Sequence, residues 1–169
     1  MFSHEQQPST MICNYLKVFS QNIKKNSLIV NTILETQTDF DIIFIQELPW
    51  SAIHTIPSAS NQEGEILVET THHPNWLLFA RTPSSQSDTP RVLVYINIRL
   101  SSLCFSLRNN IIYHKDILLI SFINNHICSF IMNVYSDSSH LALKYLTDIE
   151  VNISNMLIIT GNFNMRDSL

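Results

Sequence analysis

Apolar and polar positions change period several times along the chain, and each change marks an element. Residues 1–11 are polar, contain Pro8 and show no period, which predicts a disordered leader. Ile12 to Gln21 alternates, with Leu16, Val18 and Ser20 on one side and Tyr15, Lys17 and Phe19 on the other. That is a strand pattern, and Asn22 follows at its end. Leu28, Ile29, Ile33 and Leu34 recur at helical spacing and predict a helix over 25–37. Asp41 to Ile45 is a short apolar run with polar flanks, a fully buried strand, followed by Gln46, Glu47, Leu48, Pro49 and Trp50. Pro57, Ser58, Ser60, Asn61 and Gly64 mark loop between 51 and 74, interrupted by a short strand at Ile66–Glu69. Strands are predicted over Trp76–Arg81 and Arg91–Asn97, separated by a Ser/Pro loop over 82–90. Asp116–Ile123 and His126–Val134 form a hairpin about an Asn124-Asn125 turn. Ser138 to Ile153 reads as a helix, with Leu141, Tyr145, Leu146 and Ile149 on one face and Asp137 or Ser138 as its cap. Met156–Thr160 is a last buried strand, ending in Gly161-Asn162-Phe163-Asn164.

This order of elements is that of an α/β or α+β domain over residues 12–169, with a mixed β-sheet flanked by helices. The expectation is one mixed sheet with helices on one face. The chain stops five residues after Asn164, so the sheet reads as unfinished and the domain as a truncated fragment. Its other face is then expected to stay apolar, for a partner or a missing half of the domain. Composition sharpens this picture. Apolar residues at 45% against charged residues at 14% describe a folded but poorly solubilised chain, and only two glycines serve its turns. A net charge of −4, with no basic run longer than Lys24-Lys25, argues against tight DNA binding through many phosphates, although magnesium nucleases tolerate acidic sites. Cys13, Cys104 and Cys128 are an odd, widely spaced set that reads as reduced thiols. The polar N-terminus is no signal peptide, and the apolar stretches are strand-sized. An intracellular protein is expected, with the nucleus left open.

Three polar sites follow predicted strands: Asn22, Gln46-Glu47, and Asn162 with Asn164. Sheet-based enzymes place ligands at strand ends. A carboxylate there, Glu47, suits a hard cation such as Mg²⁺, which takes one or two protein carboxylates and completes its shell with water and phosphate. The plainer reading of Glu47 from spacing alone is a solvated strand-end residue. His72-His73 is read as solvent-facing before it is read as a metal pair. Trp50 and Trp76 are candidates for base stacking, with core packing preferred for Trp76. Ser136-Asp137-Ser138 lacks the glycine elbow of a nucleophile and is explained by capping.

Taken in order, Asn22, Gln46-Glu47, Asn133-Val134-Tyr135 and Gly161-Asn162-Phe163-Asn164 resemble the motifs of the endonuclease/exonuclease/phosphatase superfamily, which includes the apurinic/apyrimidinic endonucleases and the LINE-type endonucleases. Ser20-Gln21-Asn22 matches the first motif in part. The segments 158–168 and 91–96 resemble the non-LTR retrotransposon endonucleases of fungi. The resemblance implies the N-terminal part of a two-sheet α/β sandwich that cleaves DNA phosphodiesters with Mg²⁺ or Mn²⁺. It implies that Glu47 holds the metal and that Asn22 orients metal or phosphate. Tyr135 would contact the scissile phosphate, and Asn164 would position the nucleophile. Two departures accompany it. Asn162 stands where the family has the aspartate that orients or deprotonates the attacking water, and an amide has no useful basicity. No histidine follows Gly161, so the family's distal Asp-His pair has no counterpart here. A catalytically impaired relic is expected. The alternatives are a non-catalytic binding module on the same fold and a phosphatase of the same superfamily.

Overall fold

A strand with two buried faces needs a partner layer on each, and the apolar runs at 42–45, 92–96 and 117–120 meet that condition within four layers. The run at 156–160, read as buried, instead leaves Leu157 and Ile159 each 56% exposed at a sheet edge. The computed structural model describes residues 15–49, 52–57, 66–69, 71–149 and 154–164. Its first sheet is ordered β1-β2-β6-β5, from β1 (Val18–Asn22), β2 (Ile42–Gln46), β5 (Trp76–Phe79) and β6 (Val92–Asn97). β1 and β2 run parallel, while β6 is antiparallel to both of its neighbours. The second sheet is ordered β10-β9-β8-β7, from β7 (Ser106–Leu107), β8 (Ile117–Asn124), β9 (Ile127–Tyr135) and β10 (Met156–Asn162). There β9 and β10 run parallel and the rest antiparallel. A separate ribbon pairs β3 (His54–Pro57) with β4 (Ile66–Glu69).

The expectation of one sheet with an uncovered face is corrected. The hairpin β8–β9 does not extend the first sheet but builds a second one, which packs on it face to face. Alternation shows why. Ile42 and Phe44 of β2 and Val92, Val94 and Ile96 of β6 meet Leu118, Ile120, Phe122, Ile131 and Tyr135 of the second sheet in one core. The residues between them point outward to the helices. Ile43, Ile45, Leu93 and Tyr95 pack under Val30, Ile33 and Leu34 of α1 (Leu28–Thr36). Ile117, Leu119, Met132 and Val134 pack under Ala142 of α2 (Leu141–Asp148). Both faces of β2 and β8 are therefore covered, which is why those strands read as continuous apolar runs.

Element boundaries moved where tertiary contacts decided them. The first strand starts at Val18, because Lys17 is tied to Asp41 by its N–H to Oδ2 (2.8 Å) and by its carbonyl to the Asp41 N–H (2.8 Å); Ile12–Asn14 and the leader lie outside the described residues. The helix α1 begins at Leu28 rather than Lys25, since Lys24 and Lys25 both take positive φ. β5 ends at Phe79, and Arg81 turns inward to Asp88. The strand β3 arose where loop was expected. The hairpin turn centres on Asn125 and His126, both at positive φ, one residue later than expected. α2 begins after His140, which is left-handed and offers no side-chain cap. Asp137 does not cap it either: it accepts from the N–H of Ser139 at 3.0 Å and pairs with Arg91. Residues 150–153 of the expected helix lie outside the described residues. β10 runs two residues past Thr160, which carries Gly161 and Asn162 into the sheet. No helix among the described residues is long and apolar enough to cross a membrane.

Candidate functional site

The parallel pairs decide where the polar strand ends go. Asn22 lies opposite Gln46 in the β1–β2 pair, and Asn162 lies opposite Tyr135 in the β9–β10 pair. Each pair thus presents both carboxyl ends at one edge of its sheet. The two edges coincide, because Gln46 reaches across the sandwich to Asn133, two residues before Tyr135, at 2.7 Å. Asn22, Glu47, Tyr135, Asn162 and Asn164 therefore share one end of the sandwich, although they come from four strands.

The backbone at this end is bent to hold them. Glu47 takes φ 56° and Asn164 takes φ 45°, left-handed conformations in which non-glycine residues are uncommon. The Glu47 carbonyl accepts from the Lys25 N–H at 2.8 Å, and the Leu48 N–H donates to the Arg91 carbonyl at 3.1 Å. The side-chain amides are engaged locally. Asn22 Oδ1 accepts from the Lys24 N–H at 2.8 Å, and Asn162 Oδ1 from the Asn164 N–H at 3.0 Å. Asn164 Nδ2 donates to the Ser136 carbonyl at 2.5 Å, and the Ser136 N–H donates to the Asn162 carbonyl at 2.7 Å. Gly161 permits this close approach: a Cβ there would lie 1.8 Å from the Val134 carbonyl oxygen.

Tyr135 is buried at 6% exposure, with its ring under the Arg91 guanidinium at 4.8 Å. Burial raises its phenol above the ordinary value and the negative charge of Glu47 adds to this, while Arg91 opposes. Glu47 and Tyr135 are thus within electrostatic reach of one another. Arg91 is held in turn by Asp116, through Nε, and by Asp137, through Nη1 at 3.0 Å. This pairing pushes the guanidinium further up and keeps it charged. Asp137 is held down to about 2, chiefly by the hydrogen bond from Ser139 and next by Arg91.

What the end can bind follows from its donors. Glu47 is its free-standing carboxylate, half-buried, and among the described residues no three His, Cys, Asp or Glu side chains gather as a metal cage. A single carboxylate beside amide oxygens fits a cation such as Mg²⁺, whose shell is completed by water and phosphate, and does not fit a soft metal that needs several histidines or thiolates. Asn162 adds an amide where a second carboxylate would have added charge and basicity.

Arg91 and Asp116 were not picked out as site residues from the sequence; Gln46 and Asn133 were named there within motifs, but their pairing across the sandwich was not. A polar Asn133 within Ile131-Met132-Asn133-Val134 was the available signal for that pairing. His73 accepts from the Asn75 N–H at 3.2 Å in a local turn. Trp76 is buried and donates Nε1–H to the Leu34 carbonyl at 3.1 Å, so its role is packing. Ser136 is fully buried, 3.3 Å from His140 Nδ1. Trp50 lies outside the described residues.

No protein-family model and no curated protein matches the chain. Among solved structures it is similar to the endonuclease domain of TRAS1, a telomere-specific non-LTR retrotransposon, with a TM-score of 0.52 at 11% identity over 90% of this chain. The chain spans 60% of the length of that domain. Weaker matches are a D. rerio TDP2 humanised by 14 mutations, with a TM-score of 0.45 at 14% identity, covering 90% of this chain and 63% of that one. A β-hairpin deletion mutant of β toxin from Staphylococcus aureus follows, with a TM-score of 0.38 at 10% identity, covering 92% and 69%. The likeness is one of fold: this chain has a mixed α/β, two-sheet architecture like that of the TRAS1 domain.

Proposed function

We propose that this chain is a phosphodiester-binding nuclease domain of the retrotransposon type, of the fungal branch, with much reduced hydrolysis. The observation that carries the reading is the convergence of Asn22, Glu47, Tyr135, Asn162 and Asn164 at one end of two parallel strand pairs. The similarity in fold to a retrotransposon endonuclease domain supports it. Glu47, with Asn22, would hold Mg²⁺ or Mn²⁺, and the metal when bound would neutralise charge on a phosphate oxygen. Tyr135 and Asn164 would present O–H and N–H donors to the phosphate. Asn162 holds the Asn164 turn and cannot take a proton from water, so the step that needs a base is impaired, by about 10²–10⁴-fold. DNA is the proposed ligand, gripped weakly given the net charge of −4.

Nicking of supercoiled plasmid with Mg²⁺ or Mn²⁺ tests this. The expected result is near-background activity for the wild type, a gain of about 10²-fold or more in Asn162→Asp, and loss of that gain when Glu47→Ala is added. Robust wild-type nicking that Glu47→Ala abolishes would overturn the impairment. A second reading, a non-catalytic binding module, draws on the local engagement of the Asn162 amide. Measurable DNA binding with no gain in Asn162→Asp would favour it.

A further inference from the structure

An asparagine inside an apolar strand is costly to bury unless its whole amide is satisfied. Asn133 is 0% exposed, on the face of β9 that meets the first sheet. Its Nδ2 donates to two main-chain carbonyls of the opposite sheet, Ile45 at 3.0 Å and Leu93 at 2.9 Å. These belong to register partners on β2 and β6. Its Oδ1 accepts from Gln46 Nε2 at 2.7 Å, and Gln46 Nε2 also donates to Ser20 Oγ at 3.0 Å. All four amide N–H groups of the two side chains are used, and four strands are joined through them. The three side chains of this network lie one or two positions before a candidate site residue: Ser20 two before Asn22, Gln46 one before Glu47, Asn133 two before Tyr135.

No backbone ladder links strands across a sandwich, so apolar packing alone leaves their relative height soft. Hydrogen bonds are directional and remove that freedom. We propose that Asn133, with Gln46, is a positioning residue that sets the spacing of Glu47 and Tyr135 across the two sheets and thereby the geometry at which a divalent cation and a phosphate are held. The inference rests on the functional reading above for what the site binds. The clamp itself is a statement about geometry, and the test separates the two.

The test compares wild type with Asn133→Leu and with the pair Gln46→Leu/Asn133→Leu, which leaves no unpartnered amide in the core and carries the test where the single variant does not fold. Mn²⁺ affinity is read by electron paramagnetic resonance, and the spacing of Glu47 and Tyr135 by crystal structure. The expected result is a folded pair variant with Mn²⁺ binding about 10–100-fold weaker and Tyr135 displaced from Glu47 by more than about 0.5 Å. A role confined to stability leaves both unchanged once folding is restored, and that result overturns the proposal. Wild type that binds no Mn²⁺ removes the functional reading, while the spacing still decides whether Asn133 positions.

Discussion

Gly161 offers the sharpest test of how the two parallel strands bring Asn162 beside Tyr135. It lies opposite Val134 with φ 156°, and a Cβ would fall 1.8 Å from the Val134 carbonyl oxygen, 2.7 Å from its carbon and 3.0 Å from its nitrogen. All three are backbone atoms of a strand buried between the other sheet and α2, so no side chain can swing aside. Gly161→Ala therefore forces β10 away from β9. The hydrogen bond from the Ser136 N–H to the Asn162 carbonyl, 2.7 Å, is next in line and would stretch. Overpacking of this kind costs about 1–3 kcal/mol, and each buried hydrogen bond lost adds about 1 kcal/mol. The sum is about 3 kcal/mol. With a urea slope of about 2 kcal/mol per molar, the unfolding midpoint should fall by about 1.5 M. The assay is equilibrium urea unfolding followed by circular dichroism. Leu157→Ala on the same strand is the control: that side chain is 56% exposed, and its loss should cost no more than about 0.5 kcal/mol. A Gly161→Ala midpoint within the control's range would refute the close approach, and with it the position of Asn162.

Arg91→Met strands the Asp116 carboxylate, 2% exposed, without its cation, and should cost about 3–5 kcal/mol in urea unfolding; a smaller loss would mean that water reaches Asp116. Asp137 loses its proton near pH 2 in the folded chain and near 4 in the unfolded chain, so the unfolded state takes up the proton first as pH falls. Its contribution is present above about pH 4 and is lost towards pH 2, and Asp137→Asn should flatten the fall in urea midpoint over that window. Asp88, held well below the usual range chiefly by Arg81, contributes in the same direction and should keep part of the slope in that variant. Trp76→Phe removes the Nε1–H bond to the Leu34 carbonyl at the end of α1, and thermal unfolding should show a loss of about 1–3 kcal/mol. An unchanged melting temperature would mean that the carbonyl finds another donor.

The polarity pattern alone determined α1, α2, the strands other than β3 and β7, and the polar residues that close or follow those strands. The apolar run of β2, the two arms of the β8–β9 hairpin, the helical faces of α1 and α2, and the strand-end positions of Asn22, Glu47 and Asn162 all follow from local spacing, because burial of one or two faces leaves a period in the chain. The α/β class was legible for the same reason. The number of sheets was not. Ile42 and Phe44 look the same in sequence whether a helix or a second sheet covers them, and only the hairpin's packing decided for the sheet. The exact strand limits were also beyond local pattern: Lys17 is held by Asp41, just before β2, and β10 continues through Gly161 and Asn162 because they pair with Val134 and Tyr135 of β9, an approach that only glycine allows at 161. The buried polar connections were decided at the same level. Arg91 with Asp116 and Asn133 with Gln46 join residues 25 and 87 positions apart, and no local period records such a pairing. Tertiary structure thus brought the strand ends together, through parallel pairing within each sheet and through amide bonds between the sheets.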